Sequence, residues 1–235
     1  MRPTIITLDA AETLVRVLWK PGPFAIELAQ DLGLAIDPQP AQETYEGLLR
    51  TRWTHYCSVN QTRDVEACDG FWHELTRDWL ERIGSDVADA DRIVTLARER
   101  LYNPTGLHFQ LFEDTVPALE LLKQEGFRLA VISNWDYSLH RILRNLGIYD
   151  YFEKVIASLE EGPEKPDPAL FDLTLRALGA DPEEALHVGD NPVDDYQGAR
   201  GAGMRAALVD RSRDVVSPPY IPSLLHITEA VDWSA

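Results

Sequence analysis

Five short apolar runs recur along this chain, and helix-length segments separate the last four. The runs are Ile5 to Leu8, Leu129 to Ser133, Val155 to Ser158, Ala185 to Val188 and Arg205 to Val209. Each is β-branched and unalternated, the mark of strands covered on both faces. The intervening segments run roughly from Tyr137 to Leu146, Pro168 to Leu178 and Val193 to Ala202. Strand alternating with helix in this way predicts an α/β fold whose parallel sheet is joined by right-handed crossovers.

The stretch from about Lys20 to Asn103 breaks that rhythm, because it holds no strand pattern. It offers four helical ones instead: Phe24, Leu28 and Leu32; Tyr45, Leu48, Leu49 and Tyr56; Phe71, Leu75 and Trp79; Ile93, Leu96, Ala97 and Leu101. Pro21, Pro38, Pro40 and Pro104 stand at their boundaries. Residues 20–103 are therefore expected to form an all-helical cap inserted after the first strand, with residues 1–19 and 104–235 forming the core. The tail after Asp210, with Pro218, Pro219 and Pro222, reads as a loop followed by a short closing helix.

At 235 residues and 45% hydrophobic content the chain can bury a full core. A net charge of −17 argues against general affinity for nucleic acid or anionic membranes, which it repels at long range. The N-terminus enters the first strand with no separate apolar segment and cleavage site, and no stretch approaches membrane-spanning length, so a cytoplasmic protein is expected. Cys57 and Cys68 lack zinc-ligand spacing and any further cysteine, which points to free thiols in a reducing compartment.

Polar residues close several of the apolar runs. Asp9 follows Ile5 to Leu8, Ser133-Asn134 ends the second run, Lys165 lies in the Pro-bracketed loop Gly162 to Pro168, and Asp190 with Asp194 and Asp195 follows His187-Val188-Gly189. Together with Gly198 to Met204, these segments resemble the haloacid dehalogenase-like hydrolase superfamily, in its capped Reg-2-like branch, across almost the whole chain. The resemblance implies a Rossmann-like core with an inserted helical cap. It also implies a Mg²⁺ cofactor held by Asp9, Asp190 and the main-chain carbonyl of Ala11, supported by Asp194 or Asp195, and a small phosphorylated substrate.

The chemistry of the residues agrees with that expectation. An aspartate at the carboxyl end of a parallel strand sits where such sheets bind ligands, and Asp9 there suits nucleophilic attack on phosphorus. Converging carboxylates repel unless a divalent cation neutralises them, and hard Mg²⁺ suits oxygen ligands. Ser133 and Asn134 offer a hydroxyl and an amide to phosphate oxygens, and the compact ammonium of Lys165 can pair with both nucleophile and phosphate. The bland readings are a turn-capping Asp9, an N-cap at Asp190, a solvated helix face for Asp194 and Asp195, and ordinary turn formers at Ser133-Asn134.

Ala11 is the departure. The family's phosphatases carry there a second aspartate that protonates the leaving alcohol and activates water, help worth roughly 10²–10⁴-fold. Glu12 stands in place of the usual glycine and is expected to point away from the crevice. The expectation is a weak phosphatase that favours activated leaving groups. A metal-independent 2-haloacid dehalogenase also lacks that aspartate and needs a cap arginine, for which Arg50 and Arg52 are suitably spaced; Asp190 speaks against it. A phosphonoacetaldehyde hydrolase needs a cap lysine, and none occurs between Pro21 and Asn103. A non-catalytic module that binds Mg²⁺ and phosphate is the remaining alternative.

Overall fold

A computed structural model describes residues 2–103 and 108–233. Its elements in chain order are β1 (Ile5–Leu8), β2 (Val15–Val17), α1 (Pro21–Asp31), α2 (Pro38–Gln61), α3 (Val65–Arg82), α4 (Ala90–Leu101), β3 (Phe109–Leu111), α5 (Thr115–Gln124) and β4 (Arg128–Ser133). There follow α6 (Ser138–Asn145), β5 (Lys154–Ala157), α7 (Ser158–Glu161), α8 (Pro168–Leu178), β6 (Ala185–Gly189), α9 (Gly198–Gly201), β7 (Arg205–Val209), β8 (Tyr220–Ile221) and α10 (Ile227–Val231). The chain divides into two compact units, Met1–Val17 with Gln110–Ala235, and Leu18–Phe109.

The first unit is a Rossmann-like α/β core. Its sheet has the order β5-β4-β1-β6-β7-β8, with every pairing parallel. Strand β1 lies between β4 and β6, with Ile5 opposite both Arg128 and Ala185, and all four of its residues are buried. Apolar side chains cover the sheet because a parallel strand has no solvated face to spare. Ile5, Ile132, Ile156, Leu170, Phe171 and Leu175 are among those that close one face. Helix α8 begins where the sequence directs: the Asp167 side chain accepts from Ala169 N, Pro168 takes the first turn, and Gly179 ends the helix at φ +63°.

The second unit is helical. Among the described residues from Leu18 to His108 no strand forms, and α1 to α4 coincide with the four apolar patterns. Pro21 and Pro38 open α1 and α2 as first-turn prolines; Pro104 lies outside the described residues. Tyr56 and Phe71 pack with ring centroids 4.6 Å apart, and buried Trp79 donates its indole N–H to Ala41 O at 2.9 Å. These aromatics form the unit's interior.

Three details differ from the sequence expectation. The C-terminal tail contributes β8 to the sheet edge before the closing helix α10, so it is not a plain loop. Strands β2 and β3 pair in a separate two-stranded sheet. The expected helix from Val193 to Ala202 opens instead as a π-helical stretch, Pro192–Gln197, before the α-helical turn α9.

Candidate active site

Strand order decides where chemistry can gather. The connections leave β1 toward β4 on one side and β6 on the other, so the crevice at the carboxyl ends of these three strands is the natural ligand position. Asp9 follows β1, Asn134 follows β4 and Asp190 follows β6.

Lys165 joins this group from the loop before α8. Its ammonium is buried and donates to Asp9 Oδ1 at 2.7 Å and to Asp195 Oδ1 at 2.5 Å. The loop is held by Asn134, whose side chain accepts from Lys165 N at 2.8 Å and donates to Lys165 O at 2.9 Å. The side chain of Asn134 thus grips the lysine loop. Ser133 Oγ is buried and meets no partner at hydrogen-bond distance and angle, although it lies close enough to Asp9 to favour the charged carboxylate.

Asp195 is the anchor. Its Oδ1 accepts from Lys165 and from His187 Nε2 at 3.1 Å, and its Oδ2 accepts from Asn191 N at 2.9 Å. The π-helical register turns it inward: both Asp195 N and Tyr196 N reach back to Asn191 O. Gly189 leaves the room, because a Cβ there would lie 2.1 Å from Asp195 Cγ. His187 is itself fixed by Thr7, whose Oγ1 lies 2.9 Å from Nδ1. Asp194 differs from its buried neighbour, since it accepts from the Asn191 side chain at 2.9 Å and is half-buried.

Charge follows from this packing. Burial works to lower the pKa of Lys165, but Asp9 and Asp195 more than offset it and hold the ammonium above the ordinary lysine value. Burial alone would raise Asp195; the bond from His187 and the charge of Lys165 outweigh it and keep that carboxyl well below the usual range. Asp9 is raised by burial and by the charge of Asp195, against the pull of Lys165. Partial burial and then the charges of Asp9 and Asp195 push Asp190 up to about 6.

Two carboxyls held above their ordinary values mark a place short of positive charge. Oxygens of Asp9, Asp190 and Asp195 lie within 4.8 Å of one another. Asp195 already accepts from three donors, while Asp9 and Asp190 add hard oxygen donors of the kind Mg²⁺ takes. The residues fit such an ion. Thr13 Oγ1 donates to Asp190 Oδ1 at 3.3 Å and fixes the loop that carries Ala11.

Ala11 brings no carboxyl, and Glu12 does not replace it. Glu12 adopts φ +55° and its Oε1 accepts from Val17 N at 3.0 Å, a local contact on the exposed side of the turn. Of the two arginines spaced for a carboxylate clamp, Arg52 is paired with Asp78 of its own helical unit.

Sequence reasoning passed over Thr7, Thr13, His187, Asn191 and Gly189. Thr7 and His187 carried a usable signal, being single polar residues inside two buried apolar runs, and they stand opposite each other in the β1–β6 register.

A carboxylate at a central strand end, paired with a buried lysine and facing further carboxylates, defines an α/β enzyme of hydrolase type. The sequence model of the haloacid dehalogenase-like hydrolase family matches residues 4–203, and the chain belongs to that family. A human protein, haloacid dehalogenase-like hydrolase domain-containing protein 3, is 31% identical over 238 residues, covering 97% of this chain and 93% of its own. A phosphoserine phosphatase of Thermus thermophilus is 34% identical over 178 residues, covering 75% and 69%. The rhythmically expressed gene 2 protein of Drosophila melanogaster, 27% identical over 222 residues with coverage of 87% and 82%, marks the Reg-2-like branch. Among solved structures, a 2-haloacid dehalogenase of Pseudomonas syringae aligns at TM-score 0.70 with 26% identity, over 97% of this chain and 98% of that one. No described helix is long and apolar enough to cross a membrane.

Proposed function

We propose that the chain is a Mg²⁺-dependent phosphatase of small phosphorylated molecules, using Asp9 as nucleophile and working slowly on unactivated esters. The observation that carries this reading is the Lys165 ammonium bridging Asp9 and Asp195 at 2.7 and 2.5 Å, next to a buried Ser133 hydroxyl with a free bonding capacity. An anionic group that arrives there meets a fixed cation and a donor.

In the first step an Asp9 oxygen bonds to phosphorus and the leaving oxygen departs with its electron pair. Lys165 and Ser133 hold the phosphoryl oxygens in place, and Asn134 keeps the lysine loop from retreating. In the second step water attacks the aspartyl phosphate and the carboxylate is restored. Mg²⁺ would be held by Asp9, Asp190 and the carbonyl of Ala11, with Asp194 or Asp195 in support, and would supply charge to offset the phosphate and the carboxylates. The leaving oxygen receives its proton from solvent, because position 11 offers no acid and Glu12 is tied to Val17. That is why readily departing groups are favoured.

The inserted helical unit is assigned the part of selecting substrate; it enters the chain at Leu18, after Asp9 and the short strand β2. A reducing, cytoplasmic setting suits two cysteines that form no disulfide. The dehalogenase reading has a structural neighbour on its side, but the acidic pair Asp9 and Asp190 favours a metal and hence the phosphatase. A screen of phosphomonoesters and acyl phosphates beside 2-haloacids, with and without Mg²⁺, separates them. Metal-dependent phosphate release is expected; halide release without metal, or no turnover of either kind, would overturn the reading.

A further inference from the structure

The two half-reactions of an aspartyl phosphate ask different things of the protein. Expelling a weakly basic aryloxide needs no proton, and the carboxylate formed in the second step leaves without one as well. Only the water that attacks in that second step gains from a base.

The carboxylates gathered with Asp9 among the described residues are Asp190 and Asp195. Asp195 accepts from Lys165, His187 and Asn191, and it is buried without access to water. Asp190 accepts from Thr13 and faces Asp9. Asp136, after β4, accepts from Ser138 N at 2.8 Å. Glu12 is bound to Val17 N.

Resting on the phosphatase reading, we infer that phosphorylated Asp9 accumulates during turnover of an activated ester and passes its phosphoryl group to water slowly. The protein loads fast and unloads late. Loading forms the Asp9 Oδ–P bond, and the aryl O–P bond breaks with its pair going to the aryloxide. Unloading forms a bond from the water oxygen to phosphorus, breaks the Oδ–P bond, and releases the water proton to solvent. An alcohol acceptor takes the same place as water, loses its hydroxyl proton to solvent, and leaves as a phosphate ester.

The test is rapid-quench turnover of para-nitrophenyl phosphate with Mg²⁺ on the intact protein, followed by acid quench and intact-mass analysis. A burst of nitrophenolate near one equivalent per chain is expected, then a slow phase, with one phosphoryl group on the peptide that contains Asp9. Added glycerol should accelerate the slow phase and appear as its phosphate ester. Ala11→Asp should raise the slow phase on the order of 10²-fold and shrink the burst. Glu12→Gln should leave both phases unchanged, since Glu12 serves only the turn; a larger burst in that variant would make Glu12 the base and overturn the inference. Steady turnover with neither burst nor phosphoryl adduct in the wild-type protein would also overturn it while leaving the phosphatase in place. Absence of both turnover and burst would remove the phosphatase reading and the inference with it.

Discussion

The Nζ of Lys165 lies 2.7 Å from Oδ1 of Asp9, and the Lys165 side chain keeps only 2% of its surface in contact with solvent. A cation so placed compensates two buried carboxylates at once. Lys165→Met removes it, strips Asp9 of its cation and leaves Asp195 with only His187 and Asn191, which should cost about 3–5 kcal/mol of stability. Denaturant unfolding without added metal reads this directly. Turnover should be lost in the same variant even where it remains folded.

Ala11→Asp should speed the loading of Asp9 from an alkyl phosphate more than from an aryl phosphate, because only the alkyl leaving oxygen needs a proton. A gain approaching 10²-fold in that step on the alkyl substrate is the order expected of a restored general acid. Asp9→Asn should abolish both activities. Parallel single-turnover assays of the loading step in the three proteins decide the matter, and an equal gain on both substrates would remove the proton-donor argument.

Asp190→Asn should weaken Mg²⁺ binding clearly, since it takes one of the three carboxylates from the cluster. Asp194→Asn should weaken it far less, because Asp194 bonds the Asn191 side chain at 2.9 Å and lies outside the group around Asp9. Isothermal calorimetry on the two variants gives the comparison without reference to activity.

Asp114 ties three pieces of the core together. Its carboxylate accepts from Arg211, from Ser223 Oγ and from Leu224 N. Burial would raise its pKa, but the Arg211, Leu224 and Ser223 bonds outweigh burial and hold it below the ordinary value. A lowered folded pKa gives stability that is present above the unfolded value and lost as pH falls through the folded one. Tm should therefore decline on acidification below about pH 4, with part of that decline absent in Asp114→Asn. Identical slopes in the two proteins would show that Asp114 is not among the groups responsible.

Gly189→Ala should dislodge Asp195, since the new methyl carbon would fall 2.1 Å from Asp195 Cγ. Overpacking of this kind costs about 1–3 kcal/mol, and the displaced carboxylate should release Lys165 as well. Loss of turnover together with a modest fall in Tm is the expected pair of outcomes.

Much of this arrangement was legible because apolar runs stop where the strands stop. Asp9, Asn134 and Asp190 each follow such a run, and a parallel sheet brings all three ends to one edge. Periodicity was enough for the four inserted helices too. Strand β8 escaped because two residues after Pro218-Pro219 carry no period at all, and three-residue β2 and β3 share that weakness. The burial of Asp195 escaped for a different reason. A helical wheel of 3.6 residues per turn cannot anticipate a π-helical register, and the room for the side chain is made by Gly189, six positions upstream. The double grip of Asn134 on the Lys165 peptide joins residues 31 apart, a relation that local pattern does not encode.

The position of β1 in the sheet also sets a timetable for synthesis. It is translated well before both of its neighbours, β4, which starts at Arg128, and β6, which starts at Ala185. At about 5–20 residues per second the ribosome needs on the order of ten seconds or more to supply the second partner. Throughout that wait the growing polypeptide carries an apolar strand with an open edge, the feature that invites pairing with other chains. The strand that leads to Asp9 is thus also one whose edges a chaperone would have reason to cover during synthesis.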